Sequence, residues 1–138
     1  MQLTRAADYA VRVMIHMAGL PRGKRTSRSE LATAATCPEQ FLSKVLQDLT
    51  RAGLVVSHRG NTGGFELPDV RQDASVLEVV EAVEGPIRLN ICLAADHACD
   101  RQDSCSTHCV WARAQTAMVA VLRNTSITEL AKQQHQWN

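Results

Sequence analysis

The sequence predicts a mostly α-helical fold that carries one small β-hairpin. Three observations predict it. Apolar residues recur at helical spacing through most of the chain, Ser-x-x-Glu capping pairs punctuate it, and one short β-prone run is split by a glycine-rich turn. The 138 residues suit one compact protomer, and 45% hydrophobic with 21% charged residues is a globular composition. Aromatic residues make up only 4%, so an aliphatic core is expected.

Between Leu3 and Leu20, the positions Ala6, Ala7, Ala10, Val11, Met14, Met17 and Ala18 mark a first, largely buried helix, which Pro21-Arg22-Gly23-Lys24 breaks. Ser27 with Glu30 forms a capping box that starts a short helix through Leu31 to Ala35. A third helix is expected to start at Thr36, with Pro38 in its first turn and Glu39 three residues after Thr36. Its core stripe is Phe41, Leu42, Val45, Leu46 and Leu49, and Gly53 stops it. Leu54 to His58 reads as a strand, Arg59 to Gly64 as a turn, and Phe65-Glu66-Leu67 as the returning strand closed by Pro68. Three helices and a hairpin make residues 1–70 a winged helix-turn-helix.

Residues 71–138 open with a helix capped by Ser75 and Glu78, with Val76, Val79, Val80 and Val83 inside, ending at Gly85 before Pro86. A cysteine-bearing loop follows. Beyond it, Val110, Trp111, Ala114, Ala117, Met118, Val121 and Leu122 mark a long amphipathic helix, and Ser126 with Glu129 caps a last short one. Such a stripe at the end of a small domain is expected to join the protomer's own core, unless reading two half-sites about one DNA turn apart requires a second copy.

Charge divides the chain. Residues 1–64 hold nine Lys or Arg against four Asp or Glu, a net of +5, and the remainder holds six against ten, a net of −4. A positive half can neutralise phosphates and release counterions. On the third helix, the face opposite the apolar stripe shows Gln40, Ser43, Lys44, Gln47 and Arg51, which can hydrogen-bond base edges or phosphates. Any amphipathic helix has a polar face, so the hairpin decides. Its tip carries Arg59 among small residues, which suits insertion of a cation into a minor groove. The expected DNA contacts are Arg28, Pro38, Gln40, Ser43, Lys44 and Gln47, with Arg59, Gly60, Asn61, Gly63 and Gly64 of the wing.

Of five cysteines, Cys92, Cys99, Cys105 and Cys109 fall within eighteen residues, while Cys37 stands alone at a helix start and reads as structural. Crowding of this kind in a reducing compartment points to metal or redox chemistry before disulfides. Zinc sites usually use CxxC knuckles, and none occurs here. Gaps of six and five residues between the first three cysteines let a loop wrap a larger object, and thiolates are the usual ligands of iron-sulfur clusters. Free thiols, or a redox switch without a cluster, fit the same spacing.

These residues resemble the IscR, NsrR and RirA family of iron-sulfur winged-helix regulators. The resemblance rests on Met1-Gln2-Leu3-Thr4 with Asp8-Tyr9-Ala10-Val11-Arg12, on Leu49 to Gly53, on Arg59-Gly60 to Gly63-Gly64, on the three cysteines, and on Ser126-Ile127-Thr128-Glu129-Leu130. It implies a transcriptional repressor acting as a homodimer on a double-stranded DNA operator, the third helix in the major groove, and the helix near Val110 to Arg123 as the dimerisation element. It also implies a cluster, 4Fe-4S or 2Fe-2S, held by Cys92, Cys99 and Cys105 and sensing iron, redox state, or an effector such as nitric oxide or oxygen.

Two fourth ligands compete. Asp8 matches the carboxylate that regulators resembling NsrR supply from the partner subunit, whereas Cys105-Ser106-Thr107-His108 before Trp111 looks like the IscR pattern in which histidine completes the site. Cys109 departs from both patterns and could compete as a ligand. Without a cluster, Asp8 is a first-turn carboxylate favoured by the helix dipole, and His108 an ordinary start-of-helix residue.

Other classes fare worse. An iron-sulfur electron carrier would not need the basic half or the wing cation. No nucleophile elbow, phosphate loop or paired acid and base supports an enzyme, and Gly60 to Gly64 lacks the lysine of a P-loop. No run of about 18 uncharged apolar residues occurs, and charges at Asp8 and Arg12 interrupt the stretch a secretory leader would need. The expected compartment is the cytoplasm, with no membrane partner.

Overall fold

The computed structural model describes residues 2–96 and 99–137, and Met1 of the opening motif lies outside them. In chain order it has helices α1 (Arg5–Ala18), α2 (Arg28–Ala35) and α3 (Glu39–Arg51), strands β1 (Val56–His58) and β2 (Gly64–Glu66), then α4 (Val76–Glu84), α5 (Ser106–Arg123) and α6 (Ile127–Trp137). Single 3-10 turns occupy Asp69–Arg71 and Ile91–Leu93.

α1 is the organising element. Thr4 caps it by accepting the Ala7 N–H, and Ala7, Ala10, Val13, Met14 and Met17 form a stripe that is at most 3% exposed. Small residues at the start of that stripe and methionines at its end let α2, α3, α4 and α6 all pack against one helix. Leu31, Leu42, Leu46, Leu49, Val79, Val80 and Ile127 complete an aliphatic core. Each fully buried Leu or Ile contributes about 1.5–3 kcal/mol relative to leaving it in water.

Both capping boxes form. Ser27 Oγ accepts the Glu30 N–H while Glu30 accepts the Ser27 N–H at 2.9 Å, and Ser75 and Glu78 repeat the arrangement at α4. The start of α6 is tied to that of α4: Val76 N–H donates to Thr125 O and Ile127 N–H to Ala74 O, both at 2.9 Å.

Several sequence expectations shift. Thr36 does not start α3; it ends α2 in the left-handed conformation, φ 53° and ψ 48°. Pro38 lies at the N-cap of α3 rather than inside its first turn, with φ −57° and ψ 132°, and it disfavours helical backbone in Cys37, so the helix does not begin at Thr36. Phe41 is not core. Leu42, Val45, Leu46 and Leu49 fill the stripe, and Phe41 lies at its edge, 45% exposed, with its ring 5.6 Å from that of Tyr9 in an edge-on contact. Paired strand is limited to Val56–His58 and Gly64–Glu66, since Leu54, Val55 and Leu67 turn into the core instead. Val83 is only half-buried, and Leu77 is buried in its place.

α5 departs most from expectation. It runs eighteen residues, as its pattern predicts, yet none of them is buried. Met118 and Leu122 rest against the core, whereas Val110, Trp111 and Val121 stay exposed. The stripe is therefore split between the protomer's core and its surface.

Candidate nucleic-acid interface and cysteine loop

α2 and α3 meet through a short turn, and the wing stands beside α3. Gln40, Lys44, Gln47 and Arg51 are exposed on α3, with Ser43 half-buried. Between α3 and the wing lies a cleft of about 420 Å³ lined by Arg28, Ser43, Gln47, Arg51, Ser57 and Phe65, among others. Arg28 spans the two helices, its Nε 3.2 Å from Glu39 and its Nη1 donating to Ser43 Oγ at 3.0 Å. Pro38 is exposed at the mouth of this surface.

The wing is held from its base. Thr26, 3% exposed, adds a third backbone segment beside β2: its N–H donates to Phe65 O at 2.9 Å, and the Phe65 N–H returns the bond at 2.8 Å. Arg25 donates to Thr62 O, and His58 Nε2 lies 2.8 Å from Glu66. Two glycines are required by sterics. A Cβ on Gly63 would lie 2.5 Å from His58 O, and one on Gly64, whose φ is 134°, would lie 2.8 Å from Thr26 O. At the tip Arg59, Gly60 and Asn61 are exposed, and Arg59 takes part in no ion pair found among the described residues.

The sequence reading singled out the wing's tip and missed what anchors it. Arg25, Thr26, His58 and Glu66 carry no motif of their own. The one available signal was a β-branched residue immediately before the Ser27 cap. It also missed Asp48, 8% exposed, which ties down Lys44 and Arg51.

The five thiols are unpaired. Cys37 is buried beneath α3 and its thiol lies 3.4 Å from Pro38 O, and burial raises its pKa. Burial of this kind disfavours the reactive thiolate form. Cys92 lies in the 3-10 turn after α4, Cys99 in the loop, and Cys105 at the N-cap of α5, all partly exposed, while Cys109 faces solvent one turn into α5. A hydrogen bond with the Thr107 hydroxyl, 3.1 Å away, and the backbone N–H groups of His108 and Thr107 lower the Cys105 pKa. His108 Nδ1 is enclosed by protein and has no hydrogen-bond partner.

The donor set suits a cluster, because thiolates are its ordinary ligands and the nearby His108 Nδ1 is not engaged in a hydrogen bond within the chain. The arrangement is not gathered. Among the described residues no three His, Cys, Asp or Glu side chains stand close enough to hold a metal ion. Asp8, on the first turn of α1, is half-exposed and paired with Arg12 at 2.8 Å. The loop would have to close before its thiols shared one centre.

A helix-turn-helix with a pinned wing and a cysteine loop behind it is matched by one family profile. That of the Rrf2 family, described as an iron-dependent transcriptional regulator, matches residues 3–133. The chain belongs to the Rrf2 family. It is 36% identical over 140 residues to protein aau3 of Rhizobium meliloti, spanning 100% of this chain and 90% of that one. It is 30% identical over 131 residues, 95% of this chain and 81% of the relative, to the HTH-type transcriptional regulator Rv1287 of Mycobacterium tuberculosis. The structure superimposes on CymR, the global cysteine regulator of B. subtilis, with a TM-score of 0.72 at 26% identity, covering 96% and 97% of the two chains. It shares the fold of T. potens IscR with a TM-score of 0.73 at 22% identity, covering 96% and 88%. The protein is thus an Rrf2 winged-helix transcriptional regulator, as its motifs predicted, and no described helix is long and apolar enough to cross a membrane.

Proposed function

We propose that this Rrf2 regulator represses transcription by reading a duplex operator through α3 and the wing, and that Cys92, Cys99 and Cys105 hold an iron-sulfur cluster that controls the reading. The observation that carries it is a loop of three accessible thiols set between α4 and α5, next to an enclosed imidazole nitrogen with no partner. Gln40, Ser43, Lys44 and Gln47 face the major groove, with Arg28 and Pro38 at its edge. Arg59, carried on Gly60, Asn61, Gly63 and Gly64, enters the minor groove.

Two copies related by α5 set two α3 helices about one DNA turn, roughly 34 Å, apart. The exposed Val110, Trp111 and Val121 supply the apolar face for that pairing. His108 from the same chain, or Asp8 from the partner copy, completes the ligand set. A bound cluster supplies an iron centre whose lability follows its ligands, which is how iron supply, redox state, nitric oxide or oxygen would be sensed. Gathering Cys92 and Cys105 draws the α4 end towards the α5 start. Both helices belong to the protomer whose α1 packs on α3, so loop closure and DNA affinity are linked.

The test is anaerobic. Protein made without air should contain iron and sulfide, absorb visible light, and lose both on Cys92→Ala, Cys99→Ala or Cys105→Ala. Its affinity for a selected duplex should differ from that of cluster-free protein by about 5- to 150-fold. Asp8→Ala and His108→Ala, followed by electron paramagnetic resonance, assign the fourth ligand. A colourless, iron-free product would remove the cluster.

One observation favours a second reading, a cluster-free thiol regulator. The thiols are not gathered, and the fold also matches CymR, described as a cysteine regulator, and the oxidised form of its Staphylococcus aureus counterpart. In that case metal-free protein should change its DNA affinity on mild peroxide treatment and recover it with a thiol reductant.

A further inference from the structure

The positive charge on α3 is not free. Asp48 lies on the same helix with its side chain only 10% exposed, and its Oδ1 accepts from Lys44 Nζ at 2.7 Å and faces Arg51 Nη1 at 3.4 Å. Helical geometry explains the trio: residues three and four apart share a face, so Lys44 stands one turn before Asp48 and Arg51 one turn after it. Both cations remain outside, at 67% and 75% exposure. A buried carboxylate thus sits under two exposed cations and cancels one of their two charges. Of the Lys and Arg residues on α3 and the hairpin, only Arg59 is outside this cluster.

The carboxylate lies well within a Debye length of both cations, about 8 Å at physiological salt, and its burial keeps competing water away. Sequence-independent binding grows with the number of cations that can displace counterions from phosphates, each adding about 0.9 to the slope of log affinity against log salt. Long cations that are untethered reach any phosphate on any duplex. Held against the helix, they leave Gln47, exposed between them in the chain, to the base edges.

We propose that Asp48 is a positioning residue for DNA specificity: by holding Lys44 and Arg51 to the surface of α3, it suppresses binding to arbitrary duplex relative to the operator. This rests on the DNA-reading role given to α3 above. The relevant site is the Lys44–Asp48–Arg51 cluster, and its ligand is the phosphate backbone.

The experiment titrates full-length Asp48→Asn against two fluorescent duplexes of about 30 base pairs, roughly three helical turns. One is of mixed sequence, and the other is the tightest recovered from a randomised pool by wild type. Asp48→Asn should bind the mixed duplex about 3- to 10-fold tighter, steepen its salt slope by about one to two, and lower the selected-to-mixed affinity ratio. Asp48→Glu should restore the wild-type slope, which a merely structural defect would not do. In the Asp48→Asn background, adding Lys44→Gln should remove about half of the gained slope.

An unchanged slope and ratio in folded Asp48→Asn would overturn the proposal, as would a fall in affinity for both duplexes. If Asp48→Asn does not fold, Lys44→Gln and Arg51→Gln decide the matter in the otherwise wild-type chain. A slope loss of about 0.9 for each means that the cations already sit on phosphates, and overturns it; a loss well below that supports it. Wild type that binds neither duplex overturns the DNA-reading role together with this inference, whereas wild type that binds while Asp48→Asn matches it overturns the inference alone.

Discussion

At the wing the backbone is held from several sides: Thr26 pairs with Phe65, Arg25 reaches Thr62, His58 faces Glu66, and Gly64 is wedged against Thr26, whose buried hydroxyl is left without a partner. The cysteine loop is built differently. α5 begins at Cys105 with no side chain capping it, His108 Nδ1 is enclosed and unpartnered, and three thiols stand apart. Among the described residues each region leaves one buried side-chain atom unpaired, so the contrast lies in the backbone and the thiols: the wing's strands are bonded on both sides of β2, whereas the loop's cysteines are not brought together. Buried polar groups left unpaired cost roughly 1–3 kcal/mol each, and here they fall on both regions. The difference separates a wing whose backbone is cross-braced from a loop whose thiols stand apart.

The largest effect that tests this contrast is a cavity on the reading side. Leu49, 0% exposed, holds α3 to the core, and Leu49→Ala should cost about 2–5 kcal/mol in denaturant unfolding. Cys99→Ser in metal-free protein should cost about 0.5 kcal/mol or less. Similar losses for the two would show that the loop is as much a part of the folded frame as α3 is, and the contrast would fail.

A smaller effect is expected at the wing's anchor. Gly64→Ala places a methyl group 2.8 Å from Thr26 O in a backbone conformation, φ 134°, that L residues rarely adopt. The strain should cost about 1–3 kcal/mol. Affinity for a selected duplex should fall more steeply than stability does, because β2 carries the return from Arg59. A variant with unaltered unfolding and unaltered DNA binding would mean that the Thr26 pairing is looser than its hydrogen bonds indicate.

What the sequence made legible follows the same division. Capping boxes at Ser27 and Ser75 and the stripes of α1, α3 and α4 were readable because caps and helical periodicity are local, three- and four-residue relations. The wing's turn was readable from its glycines. Its anchors were not, since Thr26 is nearly forty residues from Phe65 and a single long-range bridge leaves no periodic trace. Phe41 and Thr36 were misplaced for opposite reasons: an apolar residue beside a stripe looks like part of it, and a Thr-x-x-Glu pair looks like a cap until Pro38 forbids helix in the residue before it. The cysteine spacing points to shared chemistry but does not say how the loop is shaped. For α5, pattern gave the helix but not which half of its stripe stays outside, because that depends on what α4 and the 3-10 turn at Ile91–Leu93 leave uncovered rather than on α5 itself.

The smallest effects concern helix starts, where the two regions can be compared bond for bond. At α4, Ser75 Oγ accepts the Glu78 N–H, so Ser75→Ala should cost about 0.5–2 kcal/mol. At α5 the N-cap is Cys105, whose thiol faces the Thr107 and His108 N–H groups without making a capping hydrogen bond, so Cys105→Ser puts a better acceptor in the same place and should leave metal-free stability unchanged or slightly raised. The α4 cap also predicts a pH dependence. The Ser75 N–H, then the Arg71 guanidinium and the Ser75 hydroxyl, hold the Glu78 pKa below its ordinary 4.5 in the folded protein. A depressed carboxyl stabilises the fold fully above pH 4.5 and loses that contribution as pH falls through the folded value. Unfolding of wild type between pH 6 and about 3 should therefore weaken more than that of Glu78→Gln, while Cys105→Ser should track wild type throughout. If Cys105→Ser instead weakens the metal-free protein as much as Ser75→Ala does, the thiol is already part of a closed hydrogen-bonded start, and the loop is no more open than the wing.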